Sequence, residues 1–568
     1  MKKILCAVLA CALLLSLAAC GPSEITAATE EQLAKFNFSV VQVDKSQNLS
    51  VSWDNGKALK EVDVTVKYGD ISLGGITVKG TDGKAELMAR YGKYTLDIVA
   101  TEKNNKRFRV ETEVALAADK YIIAPISGSM PQLYFTLNLD EITNKGEIPA
   151  FVWLARPDSW NWENLPKNVF MMPTATREEV LTHNNYDRMM AATKAYIADL
   201  FAVNPDAKFD LYINDFNTYA YVDLLVGNGV PEENFHVTLL SDGGASYAAF
   251  NEAFNPDDAD FDADAKYEQM AQNLDAVYSE VKQAGAYTYD GNYTVSTSDF
   301  RQYSYVAAKE KTNVEWWVLR PRAGVLCSPD EEFIDRVLNE EVSKAPYDAE
   351  NSIIEERNFA APLTAMDDAQ KTALKALYNF NGELFEQAEK EGKKAMMILG
   401  SWATAENEPD FAAYVNLIKL VYGDDFVYYY KGHPNTPTST VPEKQEQLKQ
   451  LNLIDVESSI NAELILFFYP DIYMCGYNSS TFMSVESEEM ACAIFNMTKA
   501  QAAENEGTEN YRDLIGLYLS RIEDTSLYAE CTEADHEYFL MEYNNPEASL
   551  KYLIYDATAN TILGEPQA

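Results

Sequence analysis

Residues 36–118 alternate apolar and polar side chains with the two-residue period of β-strands. Segments such as VDVTV and YTLDIVA are bounded by the turn sequences DNGK, TDGK and KNNK. Several short strands at regular spacing predict an all-β sandwich of the immunoglobulin type. No cluster of catalytic residue types falls inside this region, so we expect it to act as a spacer or a binding module.

After residue 120 the pattern changes to apolar runs of strand length that alternate with amphipathic helical segments. IPAFVWLA and KFDLYIN are typical of buried strands, whereas YDRMMAATKAYIADLFAVN has the spacing of a helix. A second series begins at KKAMMILG, after a stretch from about Asp264 that we interpret as mostly helical. The alternation predicts two doubly wound α/β domains, which usually bind a ligand at the carboxyl ends of their strands.

The predicted boundaries divide this α/β part of the chain into three segments. Residues 120–320 would form the first Rossmann-like domain and residues 321–525 the second, while residues 526–568 would return to the first. Near the end of the second domain, FMSVESEEMACAIFNM predicts a helix.

The amino terminus has the features of an export signal. MKKILCAVLACALLLSLAAC combines two lysines, a short apolar stretch and small residues before Cys20. The ending LAAC before Gly21 resembles a bacterial lipoprotein cleavage site, at which the cysteine is lipidated; a plain secretory signal is the alternative. We therefore expect a signal peptide over residues 1–20, a polar tether over 21–35, and a protein lipid-anchored to the bacterial cell membrane on its periplasmic or surface side.

The charge balance restricts the partners of this protein. Its 568 residues include 88 acidic and 46 basic side chains, for a formal net charge of −42. Such a surface repels nucleic acid, and an anionic small substrate would need a locally positive site. Only four histidines and no closely spaced cysteine pair are present, so the sequence predicts no metal site and no cofactor.

Two segments of the second α/β series place reactive side chains at predicted strand ends. YYYKGHP brings Lys431 and His433 just past a strand that Pro434 prevents from continuing. An imidazole there can donate a hydrogen bond to an anionic leaving group, although a loop histidine that caps a turn is the simpler alternative. GYNSSTFMS places Ser479 and Ser480 where a helix would begin and bind an anion, or where a serine merely caps it.

A third segment, VTLLSDGGASY, places Asp242 at the end of a strand in the first α/β series, before two glycines that permit a tight turn. An aspartate at this position can act as a general base toward an acceptor hydroxyl, or simply stabilise the turn.

These three segments resemble, in order, motifs of the bacterial sialyltransferases of glycosyltransferase family 80. LLSDGGASY is similar to the Asp-Gly motif of the family, YYKGHP to its Lys-Gly-His-Pro motif and GYNSSTFMS to its Ser-Ser motif. The resemblance covers about residues 120–540, and some members also carry a lipoprotein signal and an immunoglobulin-like domain. It implies a GT-B fold and metal-independent, inverting transfer of sialic acid from CMP-sialic acid to a sugar hydroxyl, usually on terminal galactose.

The resemblance also implies roles for individual residues. Asp242 would be the general base, and His433 would stabilise or protonate the departing phosphate. Donor contacts are implied for Lys431, Pro434, Glu463, Ser479 and Ser480, and acceptor contacts for Asn217, Trp402 and Arg156. Two alternatives stay open: a non-catalytic glycan- or nucleotide-binding surface lipoprotein, and a GT-B glycosyltransferase that uses another donor.

Overall fold

The computed structural model contains two compact units, Met1–Asp119 with Ala195–Lys208, and Lys120–Lys194 with Phe209–Ala568. The structure describes residues 24–43, 48–68, 71–89, 91–172, 185–243, 246, 249–250, 253–254, 261–285, 302–319, 354–357, 359–380, 384–400, 411–433, 438, 441–477, 479–483, 490–497, 538–543, 552–556 and 561–563. Within these ranges, no helix is both long and apolar enough to span a membrane.

The first unit contains two β-sheets and a short helix, in the orders β1-β8-β7-β4-β5 and β2-β3-β6. The strands are β1 (Ile25–Ala27), β2 (Ser39–Gln42), β3 (Asn48–Ser52), β4 (Leu59–Tyr68), β5 (Ile71–Lys79), β6 (Lys84–Met88), β7 (Gly92–Glu102) and β8 (Arg107–Leu116), with helix α1 at Glu30–Phe36. Alternate residues of β4, namely Val62, Val64 and Val66, are buried while those between them are only partly buried, as the two-residue period predicts. The predicted strands are therefore present, and their assignment to the immunoglobulin type stays a prediction.

The tether predicted over residues 21–35 is wrong for its described part. β1 pairs with β8, and α1 begins with a capping box between Thr29 and Gln32. The helix ends on Phe36, whose side chain is fully buried. One capping box and one buried aromatic residue are enough to fold a segment whose composition resembles a linker.

The second unit begins with a seven-stranded sheet in the order β11-β10-β9-β12-β13-β14-β15. Its strands are β9 (Lys120–Ile126), β10 (Ala150–Leu154), β11 (Val169–Met171), β12 (Lys208–Asn214), β13 (Phe235–Leu240), β14 (Val314–Val318) and β15 (Ile354–Glu356). The accompanying helices are α2 (Ser129–Leu137), α3 (Leu139–Ile142), α4 (Asn185–Val203), α5 (Ala220–Leu224), α6 (Ala263–Ala284) and α7 (Tyr303–Glu310). The strand order reverses between β9 and β12, and such a switch point is where doubly wound sheets bind ligands.

An eight-stranded sheet follows, in the order β18-β17-β16-β19-β20-β21-β22-β23. Its strands are β16 (Lys394–Leu399), β17 (Phe426–Lys431), β18 (Ile454–Val456), β19 (Tyr473–Tyr477), β20 (Met490–Met497), β21 (Tyr538–Tyr543), β22 (Tyr552–Asp556) and β23 (Thr561–Leu563). The accompanying helices are α8 (Ala360–Ala365), α9 (Asp368–Leu377), α10 (Glu386–Glu391), α11 (Phe411–Tyr422), α12 (Pro442–Gln450) and α13 (Ala462–Phe468). Strands β16–β20 pair in parallel, which confirms the second α/β series.

Two boundary predictions and one helix prediction in this unit are wrong. β14 and β15 belong to the first sheet, so that domain extends past residue 320 to at least Glu356. The predicted helix over FMSVESEEMACAIFNM contains strand β20, which pairs with β19. β21, β22 and β23 extend the second sheet by antiparallel pairing, so the described strands of 526–568 do not return to the first domain.

The last residue of α9 and the residue after it contact the layer of the first sheet, at the loop between β10 and β11 and at α2 respectively. The Tyr378 hydroxyl lies 2.9 Å from Thr136 Oγ1, and the Asn161 N–H donates to the Leu377 carbonyl at 2.7 Å. The negative charge of Glu463 in α13 also raises the pKa of Tyr378, although burial is the larger cause. Residues of the second sheet's layer therefore lie close to the carboxyl end of β10.

Candidate active site

Asp242 lies just beyond the end of β13, one strand from the switch point of the first sheet, so the strand end that its sequence segment predicts is present. Its backbone N–H donates to Ser246 Oγ at 2.8 Å and to Asp215 Oδ1 at 3.2 Å. A Cβ atom at Gly128 would lie 3.2 Å from Asp242 Oδ1, and Gly128 has a φ of +85° that favours glycine. The carboxylate is thus packed against the backbone of the loop that follows β9.

Arg156, at the end of β10, connects the two sheets electrostatically. Its Nη2 donates to Ser129 Oγ at 3.5 Å. Burial lowers the pKa of Arg156, while the carboxylates of Asp158 and Asp242 raise it. The same guanidinium lowers the pKa of both Lys431 and His433, which belong to the second sheet. Asp242 from the first sheet and Lys431 and His433 from the second therefore all interact electrostatically with the Arg156 guanidinium.

Lys431 is the last residue of β17 and only 4% exposed. Its Nζ donates to the Ser458 carbonyl at 3.2 Å and to the Gly432 carbonyl at 3.5 Å. Burial lowers the pKa of Lys431 to about 8, with Arg156 adding to the effect and Glu463 opposing it. The lysine therefore still carries its charge at neutral pH. Keeping that charge buried lowers the free energy of unfolding of the protein.

His433 is partly buried two residues beyond Lys431. Burial lowers its pKa to about 4, and the positive charges of Arg156 and Lys431 contribute to the shift. The imidazole is consequently neutral at neutral pH in the free protein. In that state a ring N–H can donate a hydrogen bond, but the residue is not a charged acid.

Glu463 and the predicted serines form a second group of polar side chains. Glu463 lies in the first turn of α13, which Asn461 caps by accepting the Leu464 N–H at 3.1 Å. Thr481 Oγ1 donates to Glu463 Oε1 at 2.9 Å and accepts from Ser479 Oγ at 3.2 Å. Burial raises the pKa of Glu463, and the hydrogen bond from Thr481 opposes that shift. Ser479 and Glu463 are thus joined through one threonine.

The remaining predicted residues are described only in part. Ser480 begins a four-residue 3₁₀ helix, Ser480–Met483, so the structure describes no longer helix at the serine pair. The backbone of Asn217 lies in the 3₁₀ turn Asp215–Asn217, directly after β12. Pro434, Trp402 and Cys20 lie outside the described residues.

The structure adds residues that the sequence argument did not identify. Asn214 is the last residue of β12 and Asp215 follows it, beside the switch point; both are fully buried. Thr481 joins Ser479 to Glu463. Polar residues directly after an apolar strand, as in LYINDF, are the signal that identifies Asn214 and Asp215. No group of three or more His, Cys, Asp or Glu side chains is placed to hold a metal ion in the part of the chain that the structure describes.

Comparison with known proteins finds similarity among solved structures. No protein-family model matches the chain, and no curated protein matches it. A sialyltransferase from Photobacterium damsela is 13% identical with a TM-score of 0.49, and the match covers 84% of this chain and 95% of that one. A 2,6-sialyltransferase from Photobacterium sp. JT-ISH-224, solved with CMP and lactose, is 13% identical with a TM-score of 0.46, covering 76% and 83%. Similarity at this level does not establish a shared activity, which has to be argued from the side chains of the site.

Proposed function

We propose that the protein is a GT-B glycosyltransferase that moves sialic acid from CMP-sialic acid to a sugar hydroxyl, with terminal galactose as the acceptor. The observation that carries this proposal is the shared interaction of Arg156 with Asp242 of the first sheet and with Lys431 and His433 of the second. A base on one side and hydrogen-bond donors on the other are what transfer between two bound sugars requires.

The charge of the site supports an anionic donor. The protein carries a formal net charge of −42, which repels anions over most of its surface. The Arg156 and Lys431 cations nevertheless act on one another at the strand ends, and the neutral His433 imidazole can add an N–H donor there. CMP-sialic acid carries a phosphodiester and a carboxylate, and these anionic groups would bind at the two cations and this donor.

The proposed mechanism follows from the positions of these groups. As the bond from the anomeric carbon to CMP breaks, negative charge grows on the phosphate, where the Lys431 ammonium and a His433 N–H would stabilise it. Asp242 would accept the proton of the attacking acceptor hydroxyl, and attack from the side of the anomeric carbon opposite to CMP would invert that centre.

The other predicted residues would hold the two substrates. Glu463 would contact the cytidine, and Thr481 would orient its carboxylate. The phosphate contacts would come from Ser479 and Ser480, with Pro434 completing the donor side. Asn217, Trp402 and Arg156 would bind the acceptor, and a lipid on Cys20 would anchor the protein to the membrane.

A transfer assay tests the proposal directly. The protein without residues 1–20, incubated with CMP-sialic acid and lactose, is expected to form sialyl-lactose in the presence or absence of EDTA, because side chains supply the positive charge. If no product forms, calorimetry with CMP, UDP and GDP separates the alternatives. Binding of CMP alone would indicate another acceptor, binding of UDP or GDP another donor, and binding of none a non-catalytic lipoprotein.

The affinity for CMP is expected to fall as the pH rises above about 8. The pKa of Lys431 is about 8 in the free protein, and a bound phosphate would raise it by stabilising the ammonium. Near pH 7 the lysine is mostly protonated with or without CMP, so the affinity changes little with pH there. Above pH 8 binding must take up a proton, and the dissociation constant should rise by up to about tenfold per pH unit.

Isothermal titration at pH 7, 8 and 9 measures this dependence. CMP itself does not titrate in this window, and Lys431→Met should bind weakly with no such slope. A wild-type affinity that stays constant from pH 7 to 9 would contradict the assignment of Lys431 to the phosphate.

A further inference from the structure

Two consecutive side chains at the carboxyl end of β12, those of Asn214 and Asp215, hold the loops that follow β9 and β13. Asn214 Oδ1 accepts the Ser127 N–H at 2.8 Å, and its Nδ2 donates to the Ser127 carbonyl at 2.6 Å. Asp215 Oδ1 accepts the Asp242 N–H at 3.2 Å. Because β12 lies between β9 and β13, Asn214 fixes the loop after β9 while Asp215 fixes the loop after β13.

The Asp215 carboxylate is itself held by a hydrogen bond from the neighbouring part of the sheet. It is fully buried, and its Oδ2 accepts the Trp316 Nε1–H at 2.9 Å from strand β14. The Asp215 carbonyl accepts the Thr218 hydroxyl at 3.1 Å, and Thr218 Oγ1 lies 2.9 Å from Ser304 Oγ. Trp316 therefore determines where the carboxylate points, while Thr218 holds only the backbone carbonyl of the same turn.

We propose that Asp215, assisted by Asn214, is the positioning residue for Asp242: a buried carboxylate, held by Trp316, that sets the backbone of the base against the Gly128 loop. This inference rests on the proposed function, because Asp242 needs an orientation only if it accepts the acceptor's proton. Misplacing a reacting group by about 1 Å can reduce a rate by about 10²-fold. The Ser246 hydroxyl also accepts the Asp242 N–H, so loss of Asp215 should displace the loop without releasing it.

The test is Asp215→Asn in the full chain. An amide has one acceptor oxygen, so it can accept from Trp316 or from the Asp242 N–H, but its NH₂ then opposes the other donor. We expect kcat for sialyl transfer to fall by about 10–100-fold, with the dissociation constant for CMP unchanged. Thr218→Val is the matched control, since it removes a buried hydroxyl from the same turn without touching the carboxylate, and kcat should stay near the wild-type value.

Rescue by a second substitution separates positioning from general destabilisation. Trp316→Phe removes the donor that opposes the new amide, so the Asp215→Asn/Trp316→Phe double variant should have a kcat higher than Asp215→Asn alone. A purely structural role predicts the reverse, because two core substitutions destabilise more than one. A double variant no faster than Asp215→Asn would overturn the proposal.

Hydrogen exchange keeps this inference distinct from the proposed function. The peptide covering residues 236–246 of the unliganded protein should exchange faster in Asp215→Asn than in Thr218→Val. Unchanged exchange would overturn the positioning role, and faster exchange with unchanged kcat would overturn its importance for catalysis. Wild-type protein that transfers nothing from CMP-sialic acid would refute the proposed function and, with it, the catalytic part of this inference.

Discussion

Asp242→Asn is expected to reduce sialyl transfer by about 10²–10⁴-fold, the range that general-base assistance usually contributes. The amide keeps the shape of the side chain beside Gly128 and cannot accept the proton of the acceptor hydroxyl. The backbone N–H of residue 242 still donates to Asp215 and Ser246, so the loop keeps its position. Binding of CMP should be unchanged, because the nucleotide would contact residues of the second sheet.

Initial rates with CMP-sialic acid and lactose, together with calorimetry of CMP, measure both parts of this expectation. Asp158→Asn is the control: it removes another carboxylate that acts on Arg156, but from an exposed position. Transfer by Asp158→Asn should stay within a few-fold of wild type. Unchanged transfer in Asp242→Asn would remove this residue from the mechanism and leave Glu463 as the next carboxylate to examine.

The positions of Asp242, Lys431 and His433 could be predicted because they depend on local pattern. Each follows an apolar run whose length and composition identify a strand, and the carboxyl end of such a strand is where α/β domains bind ligands. The pattern identifies the strand and its end without knowledge of its neighbours. The residue types at that end then suggest the chemistry.

The order of the strands could not be predicted in this way. MACAIFNM is a short apolar run that fits a buried helix and a buried strand equally well, and only its pairing with β19 makes it β20. β21 and β22 are separated from β20 by a long stretch of chain, so no local signal identifies their partner. The boundary errors therefore arise from pairings distant in sequence.

The same limit explains the site residues that the sequence argument missed. Asp215 matters because β12 lies beside β13 and because Trp316 in β14 reaches its carboxylate. Thr481 matters because β19 ends near α13. The depressed pKa of Lys431 and of His433 likewise depends on burial and on Arg156, which comes from the other sheet.

Lys431→Met is expected to weaken CMP binding by about 30-fold or more, the usual cost of removing a buried hydrogen-bonded charge from an interface. The same substitution should leave the unliganded protein as stable as wild type, or more stable. Burial lowers the pKa of Lys431 to about 8, so the folded state holds this ammonium less favourably than water does. With about 1.4 kcal/mol per pKa unit, the cost at neutral pH is on the order of 3 kcal/mol. Loss of the hydrogen bonds to Ser458 and Gly432 offsets part of that gain.

The size of this stability gain depends on pH, which separates it from the effect of an ordinary core substitution. Below pH 8 Lys431 is charged in the folded and unfolded chains, so the full cost is present and Lys431→Met gains most relative to wild type. Between pH 8 and about 10.4, the unfolded-state pKa of lysine, the folded wild type loses its proton first and the advantage of the variant disappears.

Urea unfolding of both proteins at pH 7 and pH 9.5 measures the difference in stability. As a control, Lys444→Met, at another buried lysine, should leave CMP binding intact. A Lys431→Met protein clearly less stable than wild type at pH 7 would mean that this lysine stabilises the fold, and a binding defect in that variant would no longer be evidence for a phosphate contact.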